Sequence, residues 1–136
     1  MVCSRVIRVV SGIALAGFLT IASAQAQEST AGAKRTVLEQ KDLSVPGYEG
    51  VLVRTELVPG AREPMHTHPG DYFAYVLEGT ITFLREGQEP AKKKAGEVFF
   101  VPAGIVHGAS NEGTVTAKLL VTFIVEKGKP LTTPVK

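Results

Sequence analysis

Between Thr114 and Val125 the chain reads TVTAKLLVTFIV, and apolar and polar side chains alternate along it. Val115, Ala117, Leu119, Val121, Phe123 and Val125 fall on one face, and Thr114, Thr116, Lys118 and Thr122 on the other. A period of two marks an extended strand with one buried side, because successive side chains leave a pleated backbone in opposite directions. Burying such a row contributes about 1.5–3 kcal/mol per large side chain, which predicts a strand anchored in a core. Leu120 and Ile124 interrupt the polar face, so part of it is expected to meet a second sheet or another subunit.

The rest of the chain follows the same plan. RTVLEQ, GVLVRTELV, DYFAYVLE, TITFLRE and EVFFVPA are short β-rich runs, separated by VPGYEG, PGARE, EG, EGQEPAKKKAG, PAG and SNEG, where turn-forming residues collect. No stretch holds a helical period and no internal repeat stands out. Short strands at turn spacings of about 8–12 residues indicate an all-β sandwich or small barrel. The lysines at 92–94 are read as a solvated edge or turn that discourages pairing with another chain. The tail EKGKPLTTPVK carries two prolines and no pattern, and is expected to run extended over the surface.

Arg5 and Arg8 precede the apolar run VVSGIALAGFLTIA, which is followed by SAQAQ. A basic start, an apolar middle and small residues at cleavage spacing predict a secretory signal over residues 1–24, cut after Ala24 or Ala26. The apolar run is shorter than the roughly 18 residues a spanning helix needs, so no stable membrane anchor is expected after cleavage, and a periplasmic or secreted location follows. The only cysteine, Cys3, leaves with the signal, so the mature chain carries no disulfide or thiolate. Removing Arg5 and Arg8 from 15 basic residues leaves 13, against 13 acidic residues, a formal charge of 13 − 13 = 0. Such a balance steers the protein to neither nucleic acid nor anionic lipid. The expected layout is a mobile lead over 25–35, a barrel over 36–126 and the extended tail over 127–136. A mature chain of about 110 residues buries about 60–65% of its unfolded surface, so the fold stands without a metal.

Three histidines remain in the mature chain: His66, His68 and His107. In a strand, positions 66 and 68 point the same way, so two imidazoles from one piece of backbone can meet one ion. His107 completes such a site only if the sheet closes on itself. Around these residues the spacing is specific. Gly60, five residues, His66-x-His68, three residues, position 72, six residues and Gly79 form one block. Gly96, five residues, Pro102-x-Gly104, two residues, His107, three residues and Asn111 form a second block, sixteen residues further on. The two blocks resemble the two motifs of the cupin family, in order, as in compact one-domain bacterial members. The resemblance implies an all-β, small antiparallel double-stranded β-helix or jelly-roll barrel, with one divalent transition metal (Fe, Mn, Ni, Cu or Zn) held by His66, His68 and His107. Gly60, Gly79, Gly96 and Gly104 then serve turns or bulges, Pro102 a strand end, and Asn111 a side-chain-capped turn. Cupins commonly pair through terminal strands, which implies a homodimer.

At position 72 the chain departs from the family, which usually has glutamate there; this chain has Tyr72. A glutamate is ionised at neutral pH, whereas a phenol with a pKa of about 10 is not. Tyr72 is therefore either a ligand on condition that the metal ionises it, or a hydrogen-bonding partner to metal-bound water or substrate, in either case a candidate catalytic residue. Asp71 lies one position off and should face the opposite side unless a bulge turns it inward. Glu63 and Met65 lie close to the histidine pair in sequence, Met65 as packing. Phe73, Tyr75, Phe83, Phe99 and Phe100 are core residues by default and otherwise available to wall a pocket. Without a carboxylate ligand the ion keeps its charge and open positions, which favours anionic or oxygen-rich small molecules. The resemblance thus implies a metal-dependent enzyme, oxygenase-like, as in cupin dioxygenases that hold iron(II) with three histidines. An isomerase or decarboxylase, a non-catalytic metal or small-ligand binding protein, and a metal-free structural unit are the alternatives.

Overall fold

The computed structural model describes residues 32–135. The predicted signal, its cleavage points, Cys3 and the lead up to residue 31 lie outside the described residues. Among those residues there are ten strands and no helix: β1 (Ala33–Asp42), β2 (Tyr48–Leu57), β3 (Arg62–Thr67), β4 (Asp71–Glu78), β5 (Thr80–Arg85), β6 (Ala91–Lys94), β7 (Val98–Val101), β8 (His107–Ser110), β9 (Ala117–Glu126) and β10 (Thr133–Pro134). They form two five-stranded antiparallel sheets, ordered β1-β2-β9-β4-β7 and β10-β3-β8-β5-β6. The pair makes the double-stranded β-helix that the sequence motifs imply.

The alternating segment is the middle of the first sheet. β9 pairs with β2 from Tyr48↔Glu126 to Leu57↔Ala117 and with β4 from Asp71↔Ile124 to Glu78↔Lys118. Its inward row, Ala117, Leu119, Val121, Phe123 and Val125, is buried against Val51, Val53, Leu57, Ala74 and Val76 of the same sheet and Ile81 and Phe83 of the other. Val115 departs from the expected row: it precedes the strand and is 62% exposed. The outer face carries the interruption read from Leu120 and Ile124. Phe73, Tyr75, Leu77, Val98, Phe100 and Ile124 are exposed there, with Phe73 and Phe100 paired across β4 and β7 at a ring separation of 4.8 Å. Phe73, Tyr75 and Phe100 are thus neither core nor pocket wall, because strand parity turns them outward.

Four strands escape the sequence pattern, each for a local reason. β3 reads REPMHT, with a proline and no alternating apolar row, while β8 is built of His107, Gly108, Ala109 and Ser110, too small to show hydrophobic periodicity. β6 is the lysine run, an edge strand of the second sheet, as the charges suggest. β10 comes from the tail, which is extended but pairs with β3 at Thr133↔Thr67 and Pro134↔His66. At the other end β1 begins at Ala33, so Ala33, Lys34 and Arg35, assigned by sequence to the lead, pair with Leu57, Glu56 and Thr55 of β2.

The turns behave as their residue types require. Gly60, Gly79, Gly96 and Gly104 all take positive φ. Asn111 is buried, donates from Nδ2 to the Leu57 and Val115 carbonyls at 2.8 Å each, and accepts from the Gly113 amide at 2.9 Å. Gly70 serves a different need: a Cβ there would overlap the Ile124 carbonyl oxygen of β9. This close approach lets the turn between His68 and Tyr72 lie flat on the first sheet. Gly70→Ala is therefore expected to lower the urea midpoint by the equivalent of at least about 2 kcal/mol, the scale of overpacking a close-packed contact; an unchanged midpoint would show that the turn can lift off β9 without cost.

Candidate metal centre

His66 and His107 are direct cross-strand partners on β3 and β8, so their rings project from neighbouring points on one face. His68 follows the end of β3, where its carbonyl accepts from the Gly104 amide at 2.9 Å. The three side chains are buried, with ring centroids 4.5–5.0 Å apart. One ligand nitrogen from each ring lies within 4.8 Å of the other two.

Their tautomers are set by backbone carbonyls, which can only accept. His66 Nδ1 donates to the Pro64 carbonyl at 2.7 Å, His107 Nδ1 donates to the Ile105 carbonyl at 2.8 Å, and His68 Nδ1 donates to the Leu131 carbonyl. Each neutral ring therefore leaves Nε2 with an exposed lone pair. His66 Nε2 and His68 Nε2 stand 3.2 Å apart, facing each other as two acceptors when both rings are neutral, and His107 Nε2 is buried with no hydrogen-bond partner. Lone pairs gathered in this way repel unless a cation lies between them. Nitrogens bound to one ion at about 2.0–2.1 Å stand roughly 3.0–3.4 Å apart, so the His66–His68 spacing fits a shared metal. The three histidines could hold a metal ion.

Burial disfavours charge on two of these rings. It is the largest cause lowering His68 to about 3 and His107 to about 4, from the ordinary 6.5, with the neighbouring histidines adding to the effect and the hydrogen bonds to backbone opposing it. Both rings are thus neutral at physiological pH, the form that binds metal.

The cluster opens into a small, partly open pocket. Ile81, Phe83, Phe99, Leu119, Val121 and Phe123 supply its apolar walls, and Phe83 and Phe99 are the two aromatics of the sequence-derived set that do line it. Tyr72 is buried among them, its ring edge-on to His68 at 5.0 Å and 5.3 Å from His107. Burial first, and the Glu63 carboxylate second, push its phenol well above the ordinary value against the opposing influence of Arg35. The phenol is thereby a proton donor. Asp71 faces outward, as parity requires, and its Oδ1 accepts from the Ala103 amide at 2.9 Å.

One charged group reaches the cavity from an unexpected place. Arg35, from the end of the predicted lead, donates to Glu63 Oε1 at 2.9 Å and to Thr132 Oγ1 at 3.1 Å, and both Arg35 and Glu63 line the cavity. An arginine in a polar lead and a threonine in a proline-bearing tail carry no periodic signal, so only the folded arrangement reveals them. The same holds for Leu131.

The family model for the cupin domain matches residues 53–123, which contain both histidine blocks. The chain belongs to the cupin family. This cupin is 37% identical over 89 residues to germin-like protein subfamily 2 member 1 of Arabidopsis thaliana, covering 60% of this chain and 41% of that protein. It thus spans about two-fifths of the length of the curated relatives it matches. Among solved structures it is similar to the polyketide cyclase RemF from Streptomyces resistomycificus, with 25% identity, a TM-score of 0.63 and coverage of 78% of this chain and 72% of that one. It is also similar to a protein described as a predicted oxalate decarboxylase from Thermotoga maritima, with 26% identity, a TM-score of 0.59 and coverage of 68% and 80%.

The lowered values at His68 and His107 make the metal-free protein sensitive to acid. From about pH 6.5 down to the folded values of about 4 at His107 and about 3 at His68, the unfolded chain binds more protons at these rings than the folded one, so their contribution is complete above 6.5 and is lost as pH falls. Urea unfolding of chelator-treated protein should lose stability on the order of a few kcal/mol across this window. His107→Gln should flatten the slope; an equally steep slope in that variant would contradict the assignment.

Proposed function

We propose that this cupin is an exported, mononuclear metal enzyme acting on a small, oxygen-rich, anionic molecule. The observation that carries the reading is the convergence of three buried Nε2 atoms, one of them unpartnered, at the end of an apolar cavity. His66, His68 and His107 would hold the ion, and cupins commonly bind transition metals. When bound, the metal would supply Lewis acidity and, if it is iron(II), a site for oxygen chemistry. Three neutral ligands leave its charge uncompensated, which draws an anionic donor into the cavity. The walls exclude water and orient the apolar part of the ligand. Tyr72, held neutral, would donate a hydrogen bond to a ligand oxygen and stabilise negative charge developing there.

Oxygenase chemistry is the first reading. The second, a redox-neutral isomerisation, decarboxylation or cyclisation, is favoured by the protonated Tyr72 beside the histidines and by the likeness to a polyketide cyclase. Export rests on the signal-like segment over residues 1–24.

Protein taken from the exported fraction is expected to retain close to one metal per chain, and His66→Ala and His107→Ala to lose it; a wild-type protein purified without metal would end the proposal. With the iron(II) form and diketones, phenols or thiols, substrate-dependent oxygen uptake supports the first reading, and turnover without oxygen the second. Saturable binding with no turnover under either condition would make the chain a binding protein. Tyr72→Phe should keep the metal and slow turnover by about 10²-fold, the lower scale of general-acid catalysis.

A homodimer is part of the proposal, and the outer face of β4, β7 and β9 is the surface that supports it. Phe73, Tyr75, Leu77, Val98, Phe100 and Ile124, 39–58% exposed, make a contiguous apolar area of the kind that monomers rarely leave uncovered. Light scattering should give twice the chain mass, and Phe100→Glu half of that; a monomeric wild type would refute the pairing.

A further inference from the structure

The tail beyond β9 lies outside the family motif, yet it touches the candidate metal centre more directly than most of the barrel does. After Glu126 the chain turns through Gly128, which has φ +77, and runs back along the free edge of β3. Three contacts hold it there. The Leu131 carbonyl accepts from His68 Nδ1, Thr132 Oγ1 accepts from Arg35, and the Val135 amide donates to the Met65 carbonyl at 3.1 Å. The Leu131 side chain packs against the core cluster and seats the carbonyl.

These contacts differ in kind from those at the other two histidines. His66 and His107 each find their acceptor two residues back along the chain, at Pro64 and Ile105, so the strand that carries the ring also fixes its tautomer. His68 has no such local partner in its Nδ1 bond and depends on a carbonyl 63 residues away. Without that acceptor nothing in the bond network would select the Nδ1–H form, and the ring could turn about its χ angles.

We propose that the segment Leu131–Val135 is a positioning strap for the metal centre: the Leu131 carbonyl sets the tautomer and direction of His68, while Thr132 holds Arg35 at the cavity wall. The inference rests on the metal-centre reading above and adds that metal affinity depends on residues beyond the barrel. Outer partners of ligating histidines typically change metal affinity by about 10–100-fold, which sets the expected size.

Cobalt(II) is a suitable probe, since its visible absorption reports ligand arrangement as well as occupancy. The full chain is compared with a version ending at Gly128, and with Leu131→Ala, which keeps the carbonyl but loosens its seat. The shortened chain should bind cobalt(II) about 10–100-fold more weakly with an altered visible band, and a peptide of residues 129–136 added in trans should restore both. Leu131→Ala should move in the same direction by less, and it keeps the test open if the shortened chain does not fold. Nitrogen-15 spectra of the metal-free protein give the tautomer directly: His68 should be Nδ1-protonated in the full chain and a mixture without the strap. Equal affinity, an unchanged band and an unchanged His68 tautomer would overturn the strap, whereas a full chain that binds no cobalt(II) would overturn the metal-centre reading itself.

Discussion

The constraint on which the site depends is the fixing of three imidazole tautomers by three backbone carbonyls. A neutral histidine has one proton to give, and here each proton goes to an oxygen that cannot return it, at Pro64, Ile105 and Leu131. The consequence is three lone pairs aimed at one point inside a buried, largely apolar cavity. In water such an arrangement would relax by rotating or protonating a ring. Within the barrel, rotation would break the carbonyl bonds, and burial opposes protonation of His68 and His107, so the site is suited to a cation.

The barrel supplies what this arrangement needs. β3 and β8 place His66 opposite His107, the turn through Gly70 brings Tyr72 beside His68, and β9 sets Phe123 behind both rings. The usual acidic ligand of the family is replaced by a phenol that burial keeps protonated. The cavity therefore combines uncharged ligands with a hydrogen-bond donor, and its carboxylate, Glu63, is occupied with Arg35. On the proposed reading, with a metal bound, this balance would favour ligands that bring negative charge with them.

Much of the fold was legible from local pattern. The alternation of β9 and the turn glycines are each governed by neighbours within a few residues, and the structure has them as read, while the lysine run, left open between edge and turn, is the edge strand β6. β3 and β8 were not legible, because their residues are chosen for the site and for close backbone contact instead of for strand propensity. Phe73, Tyr75 and Phe100 show the opposite error: aromatic character suggested the interior, while strand parity alone decided the face. Val115 was lost from its row because the turn at Gly113 delays the start of the strand to Ala117.

By itself the sequence determined that His66 and His68 stand one residue apart, that Asp71 and Tyr72 point opposite ways, and that the two histidine blocks resemble those of a cupin. These follow from a period of two and from motif spacing, which operate over short stretches of chain. Only the tertiary structure decided that Arg35 joins Glu63 at the cavity wall and is bonded there to Thr132, and that Leu131 completes the bonding of His68. Those contacts join residues 28, 97 and 63 positions apart, and no local pattern records them. They exist because closing two sheets over one core brings both ends of the barrel to the same edge, where the chain beyond the last long strand finds β3 unpaired.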